Sequence, residues 1–305
     1  MAIHIVNRRR FSYYDCMLPT ILRIWRPIAT VVILIVTLAG FLYYFASHPV
    51  VRQQLHHTSM LTLVVLFWLY LLVIVALSLV TLTTLRLCNI KLAPAETGLL
   101  TMYATVINFF GPLQSGPAFR GVYLKRKHGL DLKKYTLATL VFYALYGLFS
   151  GIFLLSGILG WWLLIGGAVA IVTLMYIRRS KLPLAKRFQA LNLDAIYALA
   201  AATLFQLAIV AVIYFIELRS IQHGVTFGQA IIYAGAANFS LFVSLTPGAI
   251  GFRESFLLFS QRLHHISSST IIAANIIDRS MYIVLLAVIG LVIIVTHTGR
   301  RLRAQ

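Results

Sequence analysis

Two dipeptides in this sequence put charge where charge is hard to keep. Arg253-Glu254 follows a Pro-Gly break in an apolar stretch, and Asp278-Arg279 sits about eight residues inside another, roughly 12 Å deep on a helix. A charge inside an apolar span is costly unless paired or hydrated, and by default it marks a functional site. The other five acids, Asp15, Glu96, Asp131, Asp194 and Glu217, fall at segment ends or in loops and ask for no special partner. Neighbouring residues on a helix point about 100° apart, so Asp278 neutralises Arg279 poorly. Cross-pairing is expected, Arg253 with Asp278 and Glu254 with Arg279, or an arginine left free for a ligand anion. Guanidinium groups near a helix break suit phosphate, because they bind it bidentately and the helix N-terminus adds partial positive charge. Snorkelling of Arg253 to the interface is the plainer alternative. Arg120 is its counterpart earlier in the chain, where anchoring at a membrane face explains it equally well.

The elements that carry these residues are membrane helices. Hydrophobic residues make up 60% of the chain and charged residues 11%, too little charge to cover a soluble domain of this size. Long Leu/Ile/Val runs without strand-like alternation exclude an outer-membrane barrel. Six segments, 28–46, 60–83, 136–157, 159–177, 195–217 and 270–296, are long enough to cross a core about 30 Å thick. Two more are broken. The segment 98–119 is interrupted at Gly111-Pro112 and Gly116-Pro117, and 229–262 at Pro247-Gly248.

Charge predicts how the broken segments lie. Arg86 and Lys91 precede the first, and Arg120, Lys125, Arg126, Lys127, Lys133 and Lys134 follow it, so both of its ends are expected on the cytoplasmic side. It reads as a re-entrant hairpin. The basic loop from Arg178 to Arg187 and the tail Arg300, Arg301 and Arg303 are also expected inside. The second broken segment then starts and ends outside, a hairpin entering from the opposite face.

Element starts at 28, 60, 98 and 136 are answered by 159, 195, 229 and 270. Asn108 answers Asn238 and Pro117 answers Pro247, each about 130 residues on. The expected architecture is all-α: a polytopic membrane helix bundle with inverted repeats and two re-entrant helical hairpins. Residues 1–27 form a basic cytoplasmic segment, 28–158 the first repeat, 159–298 the second, inverted one, and 299–305 a basic cytoplasmic tail. Broken helices leave backbone groups unpaired, tolerable only where protein or water covers them. Two breaks meeting from opposite faces make a polar site near the midplane, as in alternating-access transporters. A purely structural hairpin is the competing reading. Asn108, Pro117, Asn238, Pro247, Gly248 and Gly251 would shape the breaks.

The formal charge of +19 is explained by positive-inside flanks and anionic headgroups rather than by nucleic acid. Cys16 and Cys88 fall on the expected cytoplasmic side, where disulfides are rare. His56-His57 and His264-His265 lack carboxylate or Cys companions, so no metal is expected, and no cofactor or catalytic motif is present. The first span follows a basic start and carries no cleavage pattern. Trp161-Trp162 and the tyrosines near span ends read as interfacial anchors.

Thr246-Pro247-Gly248-Ala249-Ile250-Gly251-Phe252-Arg253-Glu254 resembles the Pro-Gly-Gly-(Leu/Ile)-Gly-x-x-Glu signature of the lysylphosphatidylglycerol synthase transmembrane region, a flippase-like family. Arg279-Ser280-Met281-Tyr282 is similar to the Arg-x-x-Tyr of that family's last span, and Pro117 to Gly121 to its Pro-x-x-x-Gly element. Val122 stands where the family has Glu, and Tyr143 to Tyr146 where an Arg is expected, so the first half is depleted in charge. The resemblance covers nearly the whole chain and implies lipid handling. Without the family's soluble synthase domain, synthase activity is not implied. The expectation is a non-enzymatic, flippase-like protein of the cytoplasmic membrane, both termini inside, that binds or translocates phospholipid through Arg120, Arg253, Glu254, Asp278 and Arg279. The alternative is a membrane subunit presenting lipid to a separate transferase. Oligomers are compatible with either.

Overall fold

A computed structural model describes residues 58–111, 115–160, 193–243 and 251–303, together with the single residues 49, 162 and 249. The expected span 28–46, most of 159–177, the N-terminal segment, the loop 178–187, Pro247 and Gly248 lie outside the described residues. By internal contacts the chain divides after Pro49, and every described helix belongs to the second unit, Val50–Gln305.

Among the described residues all regular structure is helical. The helices are α1 (Met60–Leu87), α2 (Pro94–Phe110), α3 (Gly116–His128), α4 (Leu132–Leu159), α5 (Leu193–Ile221), α6 (Phe227–Val243), α7 (Phe252–Phe259), α8 (Gln261–His264) and α9 (Ser268–Arg303). Four of them, α1, α4, α5 and α9, are long and apolar enough to cross a membrane. Their outer faces carry large exposed apolar side chains such as Trp68, Leu140, Leu148 and Leu291, which suits lipid and not water. The expected tail does not leave the last span, because α9 continues as helix to Arg303.

Both broken segments are hairpins, and both are longer than hydropathy suggests. Pro94 opens α2 near its N-terminus, where a missing N–H costs nothing. Gly129, in the left-handed region at φ 65°, ends α3 only after the polar run Lys125–His128. The far ends meet at one carboxylate. Glu96 Oε1 accepts from Tyr123 at 2.8 Å and from Lys127 at 2.8 Å, and lies 2.9 Å from His128 Nε2. Desolvation pushes the Glu96 carboxyl up, but these partners outweigh it and hold it at about 2. At the tip, Asn108 Oδ1 accepts from the Gly116 N–H at 2.6 Å, which closes the break.

The second hairpin is closed at its far end by His264 against Tyr233, with ring centroids 5.5 Å apart. His264 is fully buried. It donates from Nε2 to the Leu257 carbonyl at 3.1 Å and accepts at Nδ1 from the Ile266 N–H. This histidine is a structural clip, not half of a ligand pair. The chain re-enters helix at Phe252 from Gly251, whose φ of 80° favours glycine. Glu254 reaches back and accepts from the Gly251 N–H at 2.7 Å, one half of a capping box.

Packing follows a pattern that survives exchange of the two halves. If α1, α2, α3 and α4 are swapped with α5, α6, α7 and α9, each main contact among these eight helices maps onto another that is also present, while the short α8 belongs to the second half alone. Thus α2 packs on α1 and α9 as α6 packs on α5 and α4, and α1 and α5 face each other across the centre. Membrane helices gain little from hydrophobic exclusion between them and rely on close approach of small residues. Helix α6 supplies Ala230, Ala234, Ala236 and Ala237, all buried. Gly235 marks a close backbone approach: a Cβ there would clash with the Leu154 backbone nitrogen on α4. Gly235→Ala is therefore expected to lower the melting temperature of the detergent-solubilised protein, overpacking costing about 1–3 kcal/mol. Gly151→Ala on α4, where a Cβ meets nothing within 4 Å, should leave it unchanged or raise it.

Candidate functional site

The Arg253-Glu254 and Asp278-Arg279 dipeptides come together as their helical geometry requires. On α7 and on α9 the two neighbours diverge, so each takes a partner from the other helix. Arg253 Nη1 donates to Asp278 Oδ2 at 2.7 Å, and Arg279 Nη2 donates to Glu254 Oε1 at 3.0 Å. The two pairs are not equivalent. Arg253 and Asp278 are both buried, whereas the Glu254 side chain is 32% exposed. Arg253 also lies over the Tyr214 ring, its guanidinium carbon 5.3 Å from the centroid, which adds a cation–π contact to the pair.

Arg253, Asp278, Arg279 and Tyr214 form one side of a cavity of about 290 Å³. The other side comes from the first half: Asn108 on α2, Pro117 and Arg120 on α3, and Tyr143 and Tyr146 on α4. Helices α5 and α6 add Gln206 and Asn238. The sequence thus located seven of the lining residues, Asn108, Pro117, Arg120, Asn238, Arg253, Asp278 and Arg279. Glu254 and Gly251 are not in the wall; they hold the second hairpin and Arg279 from behind. Arg120 is not anchored at the surface. Its Nη1 donates to Thr81 Oγ1 of α1 at 2.5 Å, and among the described residues it has no carboxylate partner.

The hydrogen-bonding character of the wall is one-sided. Among the described residues, the buried side-chain atoms of lining residues that lack a partner are Arg120 Nε, Arg253 Nε, Arg253 Nη2 and the Asn238 amide nitrogen, against one acceptor, Gln206 Oε1. Asn238 is oriented by Tyr146, which donates to its Oδ1 at 2.9 Å. Buried polar atoms rarely go unpaired, and a set of spare donors on two guanidiniums and an amide suits oxygens that carry negative charge.

A sequence model of the lysylphosphatidylglycerol synthase TM region matches residues 28–290. The chain belongs to that family. No curated protein and no solved structure is similar enough to match it. Membership makes it a multi-pass membrane protein of lipid metabolism or transport. All three family-like stretches reach this cavity, Pro117 to Gly121 through Pro117 and Arg120, Thr246 to Glu254 through Arg253, and Arg279 to Tyr282 through both of its ends.

One reading from sequence needs correction. Glu217 is not a surface carboxylate at a span end: it is fully buried, because α5 runs on to Ile221. Hydropathy ends the span at 217, but Tyr214, three residues earlier, shares its face and lines the cavity, and that tyrosine was the available signal. Tyr70 and Tyr146, which the sequence did not single out for the site, are buried in mid-helix. Tyr70 donates to Asp278 Oδ1.

Removing one partner from the buried pair should be far more damaging than removing one from the outer pair. Arg253→Ala alone is expected to cost about 3–5 kcal/mol through the stranded Asp278. The double variant Arg253→Ala/Asp278→Ala should cost less than the sum of the singles. For Glu254→Gln and Arg279→Gln the coupling should stay below about 1 kcal/mol. Unfolding of the four single and two double variants in detergent would show strict additivity if the contacts are energetically idle.

Proposed function

We propose that this protein binds an anionic phospholipid by its phosphate in the cavity between the two halves and moves it between leaflets of the cytoplasmic membrane. The supporting observation is the surplus of buried donors on Arg120, Arg253 and Asn238, drawn from both hairpins, with Arg120 lacking a carboxylate partner among the described residues. A volume of about 290 Å³ equals roughly ten waters at about 30 Å³ each. That accommodates a headgroup, while acyl chains would stay in the surrounding lipid. The family supplies the connection to lipid; the chemistry of the wall argues for the anion.

The two hairpins are read as re-entrant elements that enter from opposite faces, with both termini cytoplasmic. Their returning ends, clasped at Glu96 and at His264, support this, as does the packing pattern that is unchanged on exchanging the halves. A site shared by two such halves is accessible from either face by rocking one against the other. No bond of the lipid is made or broken in this scheme, so it assigns the protein no enzymatic step.

Leaflet-specific labelling of phosphatidylglycerol in proteoliposomes tests the proposal. Arg120→Ala removes a charge-assisted contact of about 1.5–3 kcal/mol, so transport at limiting lipid should fall by about tenfold or more. Arg120→Lys should retain part of it. Equal rates in protein-containing and protein-free vesicles, together with co-purification of a lipid-modifying transferase, would instead favour a subunit that presents lipid to an enzyme.

A further inference from the structure

Behind the cavity wall lies a carboxyl group that the anion site does not use. Glu217 has no exposed surface, its Oε2 has no partner among the described residues, and its Oε1 lies 3.3 Å from the Tyr70 hydroxyl. Titratable and charged groups face it from each helix packed around it. These are Tyr70 on α1, Tyr214 on its own helix, Tyr233 on α6, Arg253 on α7 and Asp278 on α9. Tyr146 of α4, Glu254, Arg279 and Tyr282 lie beyond, and Arg219 on α5 stacks over the Phe215 ring. Arg253 is the cation among the facing groups, and it is already committed to Asp278. Among the described residues Glu217 has no ion pair.

Hydrogen counting then assigns its proton. A tyrosine hydroxyl has one hydrogen. Asp278 serves the Arg253 guanidinium as an acceptor, so the Tyr70 hydrogen goes to Asp278 Oδ1. The remaining contact, between Tyr70 oxygen and Glu217 Oε1, needs a hydrogen from Glu217. A buried carboxylate whose facing cation is already paired elsewhere is also costly to ionise.

Protonation of Glu217 changes the charge of the site by one unit. Arg120, Arg253 and Arg279 stand against Asp278 and Glu254, which leaves one net positive charge when Glu217 is neutral. When Glu217 is ionised the sum is zero. A phosphodiester headgroup brings one negative charge and restores neutrality only in the first case.

We infer that Glu217 is a proton-binding site coupled to the anion cavity, so that one proton is held and carried together with each monoanionic headgroup. This rests on the anion-site reading above. The coupling is reciprocal: the proton strengthens lipid binding, and bound lipid strengthens the hold on the proton. The exit route balances. As Glu217 gives its proton to the Tyr70 oxygen, Tyr70 gives its own to Asp278, and Asp278 on the cavity wall releases it to water. Tyr70 is unchanged at the end, Glu217 is ionised, and the site has lost its excess positive charge.

The test is binding of dihexanoylphosphatidylglycerol, whose phosphodiester does not titrate near neutrality, to the purified full chain in detergent at rising pH. Wild-type affinity should fall with pH, by up to about tenfold per unit once Glu217 titrates. Glu217→Gln fixes the proton-loaded charge, so its affinity should match the low-pH wild type and stay flat. A flat wild-type curve, or a Glu217→Gln curve that falls in parallel with it, overturns the coupling. Absence of lipid binding to the wild type at any pH overturns the anion-site reading itself. If Glu217→Gln does not fold, infrared difference spectra of the wild type serve instead. Adding the lipid at alkaline pH should produce a new protonated-carboxyl stretch, and its absence overturns the proposal.

Discussion

A guanidinium buried among membrane helices needs a carboxylate within hydrogen-bonding reach, and for Arg253 that carboxylate is Asp278. The rest of the site is arranged around this contact. It docks α7 on α9, which places the second hairpin's return, and it leaves Glu254 opposite Arg279. It commits the Tyr70 hydrogen to Asp278 and thereby defines what Glu217 can do. Buried ion pairs contribute little net stability against an apolar alternative, yet breaking one is expensive. Such a pair is better understood as fixing geometry than as holding the fold together, and what it fixes here is a cavity wall with spare donors.

The two halves share an architecture and divide the chemistry. Both hairpins pack on the preceding span of their own half and the last span of the other. Both are clipped at the far end by polar side chains. The charges are distributed unevenly: the second half holds two arginine–carboxylate pairs, and the first contributes one arginine bonded to a threonine. Where the family has further charge in the first half, this chain has Val122 and Tyr143 to Tyr146. Tyr146 turns its hydroxyl to Asn238 and keeps that amide in place. On the proposed reading, a cation with no carboxylate partner among the described residues, facing a neutralised pair, would favour an anion in the cavity without filling it with charge.

Much of this was legible in the sequence because its rules are local. The breaks follow from Pro and Gly in apolar runs, the four described spans from length, and the cross-pairing from the angle between helical neighbours. What was not legible depends on where a helix stops and what lies across the bundle. Glu217 was misplaced because hydropathy ends a span at the first charge, while the actual helix goes on to Ile221 under tertiary packing. The clasp at Glu96 was missed because α2 and α3 extend past the apolar stretch into polar sequence. His264 looked like half of a pair with His265, and only the fold shows it bonded to backbone. Tyr70 and Arg120 take their meaning from partners far along the chain.

The central claim is that the cavity selects an anionic lipid by its phosphate. Mass spectrometry of lipid co-purified with the full chain in mild detergent addresses it most directly. Wild-type protein should be enriched in anionic phospholipid over the membrane extract it came from, and Arg120→Ala, equally folded, should lose that enrichment. A bound-lipid profile equal to the bulk extract, and the same in both proteins, would contradict the account.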